Sequence, residues 1–193
     1  AKWDLKQNLA MTAALFRLDR TNMVVQDPND VTRNILSDGQ RTQGIELTVA
    51  GNITPAWSMV GGYAYSDAEF TANTSATLRA GGAVAQVPKH TATLWNRYNF
   101  TPAWGAGVGV IYRSKMFAAN EQIATVATPI PNVELPGYTR VDAAVFYTID
   151  DKTRVQLNVE NLFDKKYFIN AHSNNNITPG SPRAYRVTLN KAF

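Results

Sequence analysis

Few side chains in this 193-residue chain are of catalytic type, and their spacing does not bring them together. The histidines are His90 and His172, and cysteine is absent. A nucleophilic triad would need one imidazole held beside an acid on a rigid scaffold, and nothing in the spacing suggests one. Asp150 and Asp151 look like paired carboxylates. They sit in a run of turn composition ahead of Lys152, where Asp more often bonds its own backbone. Without cysteine there is neither a disulfide framework nor a thiolate metal site. The Asn-Leu-Phe-Asp run at 161–164 has no metal-ligand spacing either. The sequence therefore points away from an enzyme, and the better fit is binding by amides and isolated cations.

Strands must position those groups. Val155, Leu157 and Val159 alternate with Gln156, Asn158 and Glu160; near the end, Tyr185, Val187, Leu189 and Phe193 alternate with Arg186, Thr188 and Asn190. Side chains alternate faces along a strand, so each segment has one apolar and one polar side. The same period predicts strands over roughly 9–25, 40–52, 57–70, 88–100, 104–116 and 138–149, after a short opening piece at 1–5. The last strand is expected to run through to Phe193. Short turns are expected at 6–8, 54–55, 101–102 and 150–153. Long polar connections fall at about 26–39, 71–87, 117–135 (with Pro129, Pro131 and Glu134) and 169–182. Strict alternation of short and long connections is the pattern of an outer-membrane barrel. A soluble β-sandwich shows the same strand period and stays open as an alternative.

Composition is compatible with the membrane reading. The chain is 45% hydrophobic, 10% aromatic and 18% charged, enough for one domain with no linker-like segment. No apolar run approaches the roughly 20 residues of a spanning helix. A barrel hides its apolar residues in alternation, so a mean hydropathy of −0.25 decides nothing. The net charge of +4 is scattered, without the Lys/Arg run expected of a nucleic-acid binder. The chain starts at Ala1 without a signal-peptide pattern, which suits a mature chain or a piece of a longer one. Trp57, Phe100, Trp104, Tyr147 and Phe193 lie by the short turns, and Tyr63, Tyr65, Tyr112, Tyr138, Tyr167 and Tyr185 toward the long connections. Two interfacial aromatic girdles would give this distribution. About eight full strands and one partial strand either close alone as a narrow barrel or belong to a larger one.

Specific segments add a resemblance. GIELTVAGNITP (44–55), VPKHTATLWNRYNF (87–100), LPGYTRVDAAVFY (135–147), NVENLFDKKYF (158–168) and SPRAYRVTLNKAF (181–193) resemble, in order, the C-terminal part of a TonB-dependent siderophore receptor. The segment 172–183 is more similar to the catecholate-type branch. The resemblance implies an all-β, transmembrane antiparallel barrel of outer-membrane type. Residues 1–193 would supply the last eight to nine strands of a barrel of about 22. The N-terminal plug domain, with its TonB-contacting box, has no counterpart here. Lys191 departs from the pattern, standing where an apolar or aromatic residue is usual; near the interface it can snorkel.

Such a protein would sit in the outer membrane of a Gram-negative bacterium, among lipid and lipopolysaccharide, with the plug, the other strands and the TonB complex as partners. It would carry a ferric siderophore as cargo and need no cofactor of its own. Arg, Lys, aromatic rings and amides at the barrel mouth would recognise an anionic chelate. The candidates are His172, Asn174, Asn175 and Asn176 in one connection, Arg113, Lys115 and Phe117 in another, and Arg79 and Arg33 in two more. They are equally read as solvated loop residues or as contacts to lipopolysaccharide phosphates. Arg140, Asp142, Asn158, Glu160 and Arg186 would pair across strands or pack on the plug. A small structural or adhesive barrel and a soluble binding sandwich remain the alternatives to a transporter.

Overall fold

The computed structural model describes residues 1–27, 30, 32–37, 39–75, 78–123 and 132–193. In chain order the strands begin with β1 (Lys2–Lys6), β2 (Leu9–Arg20), β3 (Met23–Gln26), β4 (Asn34–Ser37) and β5 (Gln40–Thr54). They continue with β6 (Trp57–Phe70), β7 (His90–Asn99), β8 (Trp104–Arg113), β9 (Met116–Phe117) and β10 (Glu134–Leu135). The last are β11 (Tyr138–Asp150), β12 (Thr153–Glu160), β13 (Phe168–Ser173), β14 (Asn176–Pro179) and β15 (Ala184–Lys191). Nine form one antiparallel sheet, ordered β1-β2-β5-β6-β7-β8-β11-β12-β15, and the other six pair as hairpins β3–β4, β9–β10 and β13–β14. β1 and β15 are the two edges of this sheet, so among the described residues it does not close on itself as a small barrel.

The register gathers the apolar series on one face. Val145 opposes Leu157, and Leu157 opposes Val187. Ala143 opposes Val108, Val110 opposes Leu94, Tyr63 opposes Leu47, and Leu47 opposes Ala13. A sandwich would bury such a face against a second sheet. Here Val145 is 42% exposed and Val187 70%, and among the described residues no second layer covers them. The sandwich alternative falls on that observation.

On the polar face the inner row of β8 is Gly105, Gly107 and Gly109. Its glycines leave room for the Trp95 indole, which lies across the last two: a Cβ on either would meet the ring at 2.5 Å. Beside it the Arg97 guanidinium stacks 4.1 Å from the Phe146 ring centroid. Gly109→Val is therefore expected to lower stability by about 1–3 kcal/mol through overpacking. Trp95→Ala in the same chain should recover most of that loss, read from denaturant midpoints.

Several boundaries differ from the sequence expectation. The run 9–25 breaks after Arg20 because Asn22 takes a left-handed φ of 54°, and β3 starts a separate hairpin. Met116 belongs to β9 rather than to the long strand before it. β15 ends at Lys191, so Phe193 lies beyond the pairing; the Lys191 ammonium sits 5.8 Å from its ring centroid. Tyr138 and Tyr167 leave the proposed girdle: Tyr138 opposes Arg113 on the polar face, and Tyr167 stacks on it at 4.4 Å. Elsewhere the aromatics keep the places expected along the strands, with Trp104 against Tyr147 (4.3 Å) at the short turns and Tyr63 and Tyr65 beside His90 at the other end. Asp150 accepts the Lys152 N–H at 2.8 Å, a turn-forming carboxylate. Pro129 and Pro131 lie outside the described residues.

Candidate functional site

The long connections lie at one end of the sheet, and the polar face leads up to them. Its last rungs on β11, β12 and β15 carry Arg140, Asp142, Gln156, Asn158, Glu160, Arg186 and Thr188, lining a polar concavity of about 440 Å³ with Trp95. Arg140 pairs with Asp142 at 2.7 Å, Arg186 with Glu160 at 3.5 Å, and Gln156 donates to Asn158 at 2.6 Å. Arg186–Glu160 spans β15 and β12 as expected, whereas Arg140–Asp142 and Gln156–Asn158 pair along their own strands; together they leave the wall wettable and nearly charge-balanced.

At the rim the segment 161–167 folds into a compact knot. Asn161, 1% exposed with φ 53°, donates its N–H to Asp142 (2.8 Å). Its amide donates to the Lys165 and Ser181 carbonyls (3.0 Å each), and its carbonyl oxygen accepts the Lys165 N–H (2.8 Å). Asp164, also left-handed, accepts the Arg183 N–H at 2.9 Å. Arg140 donates to the Tyr167 hydroxyl at 3.0 Å, and Gly180 lies so close to the Tyr167 ring that a side chain would not fit between them. The NLFDKKY part of the 158–168 segment is thus a structural joint.

Above it, three connections pack together. Met116, Ala118, Leu135 and Ala171 form a small buried cluster joined by Val133 and Ile177. Ala83 donates to the Glu121 carboxylate (2.8 Å) and Ala85 to the Asn120 amide oxygen (2.9 Å). None of these contacts was visible in sequence, where the loops showed composition but no periodicity.

The predicted site residues divide by position. His172 lies exposed in β13, Asn174 and Asn175 form the β13–β14 turn, and Asn176 opens β14, so this group stays together at a hairpin tip. There the Ser173 hydroxyl donates to the Asn175 amide oxygen at 2.7 Å. Arg113 is directed elsewhere: its two terminal nitrogens donate to the Ile169 and Phe168 carbonyls, and its plane lies 4.9 Å from the Tyr138 centroid. Lys115 pairs with Glu134 at 2.9 Å, and Phe117 sits half-buried in β9. Arg79 is exposed, its carbonyl accepting the Gly82 N–H at 3.1 Å. Arg33 lies in the first connection, close to Asp30. Hydrogen bonds from the Thr32 hydroxyl and N–H hold the Asp30 carboxyl below its usual range. Among the described residues no group of three or more His, Asp or Glu could hold a metal ion.

The sequence model of the family described as "TonB dependent receptor-like, beta-barrel" matches residues 1–162. The chain belongs to this family. The catecholate siderophore receptor Fiu of Escherichia coli (strain UTI89) is 36% identical over 194 residues, covering 100% of this chain and 25% of that protein. The closed crystal form of the ferric-catecholate import receptor Fiu from E. coli K12 superposes with a TM-score of 0.82 at 35% identity, over 100% of this chain and 26% of that one. The siderophore receptor PiuA from Acinetobacter baumannii gives a TM-score of 0.77 at 30% identity, over 99% and 27%. The metal-pseudopaline receptor CntO of Pseudomonas aeruginosa (strain UCBPP-PA14) is 31% identical over 96% of this chain and 25% of that protein. The chain spans about a quarter of the length of these relatives. As part of a TonB-dependent receptor barrel, the sheet turns its apolar face to lipid and its polar face to the lumen. The four long connections then gather at one rim of the wall.

Proposed function

We propose that this chain is the C-terminal wall of an outer-membrane receptor that imports ferric siderophores, driven by the TonB complex. The observation that carries the reading is the 36% identity to a catecholate siderophore receptor along the whole chain. Membership in the barrel family and the unpaired edges of β1 and β15 support it: in a bilayer such backbone must be paired, so further strands complete the wall. A plug domain fills the lumen, and the polar face around Arg140 and Arg186 meets it. Lipid and lipopolysaccharide cover the apolar face.

The cargo best supported is a ferric catecholate-type chelate. An anionic, aromatic-rich ligand suits the imidazole and amide donors of His172, Asn174, Asn175 and Asn176, which stand together at a hairpin tip. Uptake of radiolabelled ferric catecholate by iron-starved cells carrying the full-length receptor tests both levels. Replacing the four residues by alanine is expected to raise the half-saturating concentration about tenfold, roughly 1.4 kcal/mol of binding. Unchanged half-saturation removes the hairpin from the site. Absence of uptake for ferric catecholates, with uptake of another metal chelate, reassigns the cargo.

A further inference from the structure

We propose that Arg113 and Gln86 are positioning residues that tether the β13–β14 hairpin, joining three of the four long connections into one mechanical body. Arg113 is the last residue of β8, with its side chain on the lumen face. Its guanidinium bridges two successive carbonyls of β13, with the Phe168 contact at 2.5 Å, while its plane stacks on Tyr138. Its Nε is buried and makes no hydrogen bond, and both terminal nitrogens are taken by the hairpin carbonyls, so this cation is committed to holding the hairpin. A planar fork reaches two carbonyls at once; a lysine ammonium is a point charge and does not reproduce that span.

Gln86 acts from the connection between β6 and β7. It takes a left-handed φ of 58° at the end of the connection 71–89. That turn aims its N–H at the Phe117 carbonyl (3.0 Å) while its side-chain oxygen accepts the Ala171 N–H (3.4 Å). One residue therefore contacts β9 and β13 together, 85 positions from the latter. The Glu121 N–H donates to the Ala83 carbonyl (3.0 Å), and the apolar cluster packs Ala171 against Met116 and Leu135, so the same three connections are joined further. Contacts of this kind make displacement of one connection costly unless the others move with it.

Hydrogen–deuterium exchange on the full-length receptor in detergent micelles tests the tethers without any ligand. The variants are Gln86→Gly, which keeps the left-handed backbone and removes only the amide arm, and Arg113→Lys, which keeps the charge and removes the fork. In each, peptides spanning 168–179 are expected to exchange on the order of tenfold faster, the loss of about one well-made hydrogen bond, while β7 and β8 keep their protection. Unchanged exchange at 168–179 overturns the proposal, as does an equal rise in β7 and β8, which is general destabilisation. Full protection in Arg113→Lys also overturns it, because charge alone would then suffice. A second arm rests on the siderophore reading: in both variants the half-saturating chelate concentration should rise while the maximal uptake rate is held. If exchange responds and no chelate is taken up, the tethers stand and the transport reading falls.

Discussion

Replacing Asn161 by alanine is expected to destabilise the folded receptor by about 3–5 kcal/mol, among the largest effects available to one polar side chain. The amide serves three backbone groups at once: the Lys165 N–H, the Lys165 carbonyl and the Ser181 carbonyl. At 1% exposure no water replaces it, and each stranded group costs about 1–3 kcal/mol. The left-handed backbone adds roughly 1–2 kcal/mol for a residue with a Cβ and no local hydrogen bond. Asn161→Gly separates the two contributions, since it accepts the backbone and loses only the amide; its loss should be smaller by about that last amount. Asn161→Asp should fare no better than alanine, because a carboxylate would face two carbonyl oxygens that now receive donors. Denaturant midpoints of the full-length receptor in micelles give the ranking. An alanine variant as stable as the parent would mean that the knot at 161–167 does not support the rim.

That knot also marks where sequence reading stops. The strands from Trp57 to Phe70 and from Tyr138 onward were legible because apolar and polar residues alternate along them, and a period of two can be counted without knowing any partner. Short turns join antiparallel neighbours, which accounts for the pairs β1–β2, β5–β6, β7–β8 and β11–β12; the pairs joined by long connections carry no such local signal. The direction of Arg113 was not legible. Its place at a strand end beside a polar connection suggested a free cation, and only the register against Tyr138 and the return of β13 overhead show it occupied. The hairpins β3–β4, β9–β10 and β13–β14 were missed for a related reason. Strands of two to six residues are too short to show a period, and they are held by other loops more than by their own pattern. The glycine row of β8 owes its purpose to Trp95, a residue on the neighbouring strand that the β8 sequence does not reveal. Asn161 lay in plain view within one of the motifs that carry the family resemblance. Its three backbone partners include one 20 residues away, which no local spacing reveals.

Leu157→Arg and Gln156→Arg, one residue apart on β12, should differ by about 2–4 kcal/mol in the stability of the inserted barrel. Leu157 lies in the middle of the apolar face, opposing Val145 on one side and Val187 on the other. A guanidinium there enters the hydrocarbon near its midplane, where it costs about 2–4 kcal/mol and has the full half-thickness of the bilayer to snorkel through. Gln156 faces the lumen, where it already donates to Asn158 and opposes Thr188. An arginine at 156 keeps polar neighbours and water, so its effect should stay within about 1 kcal/mol. Both variants add the same charge to the same strand at nearly the same depth, so propensity and net charge cancel in the comparison. Only the face differs. Folding titrations of the full-length receptor into lipid bilayers measure the difference directly. Equal losses for the two arginines would mean that both faces of β12 meet the same environment, and a lipid-facing wall with a polar lumen behind it could not then be the arrangement of this sheet.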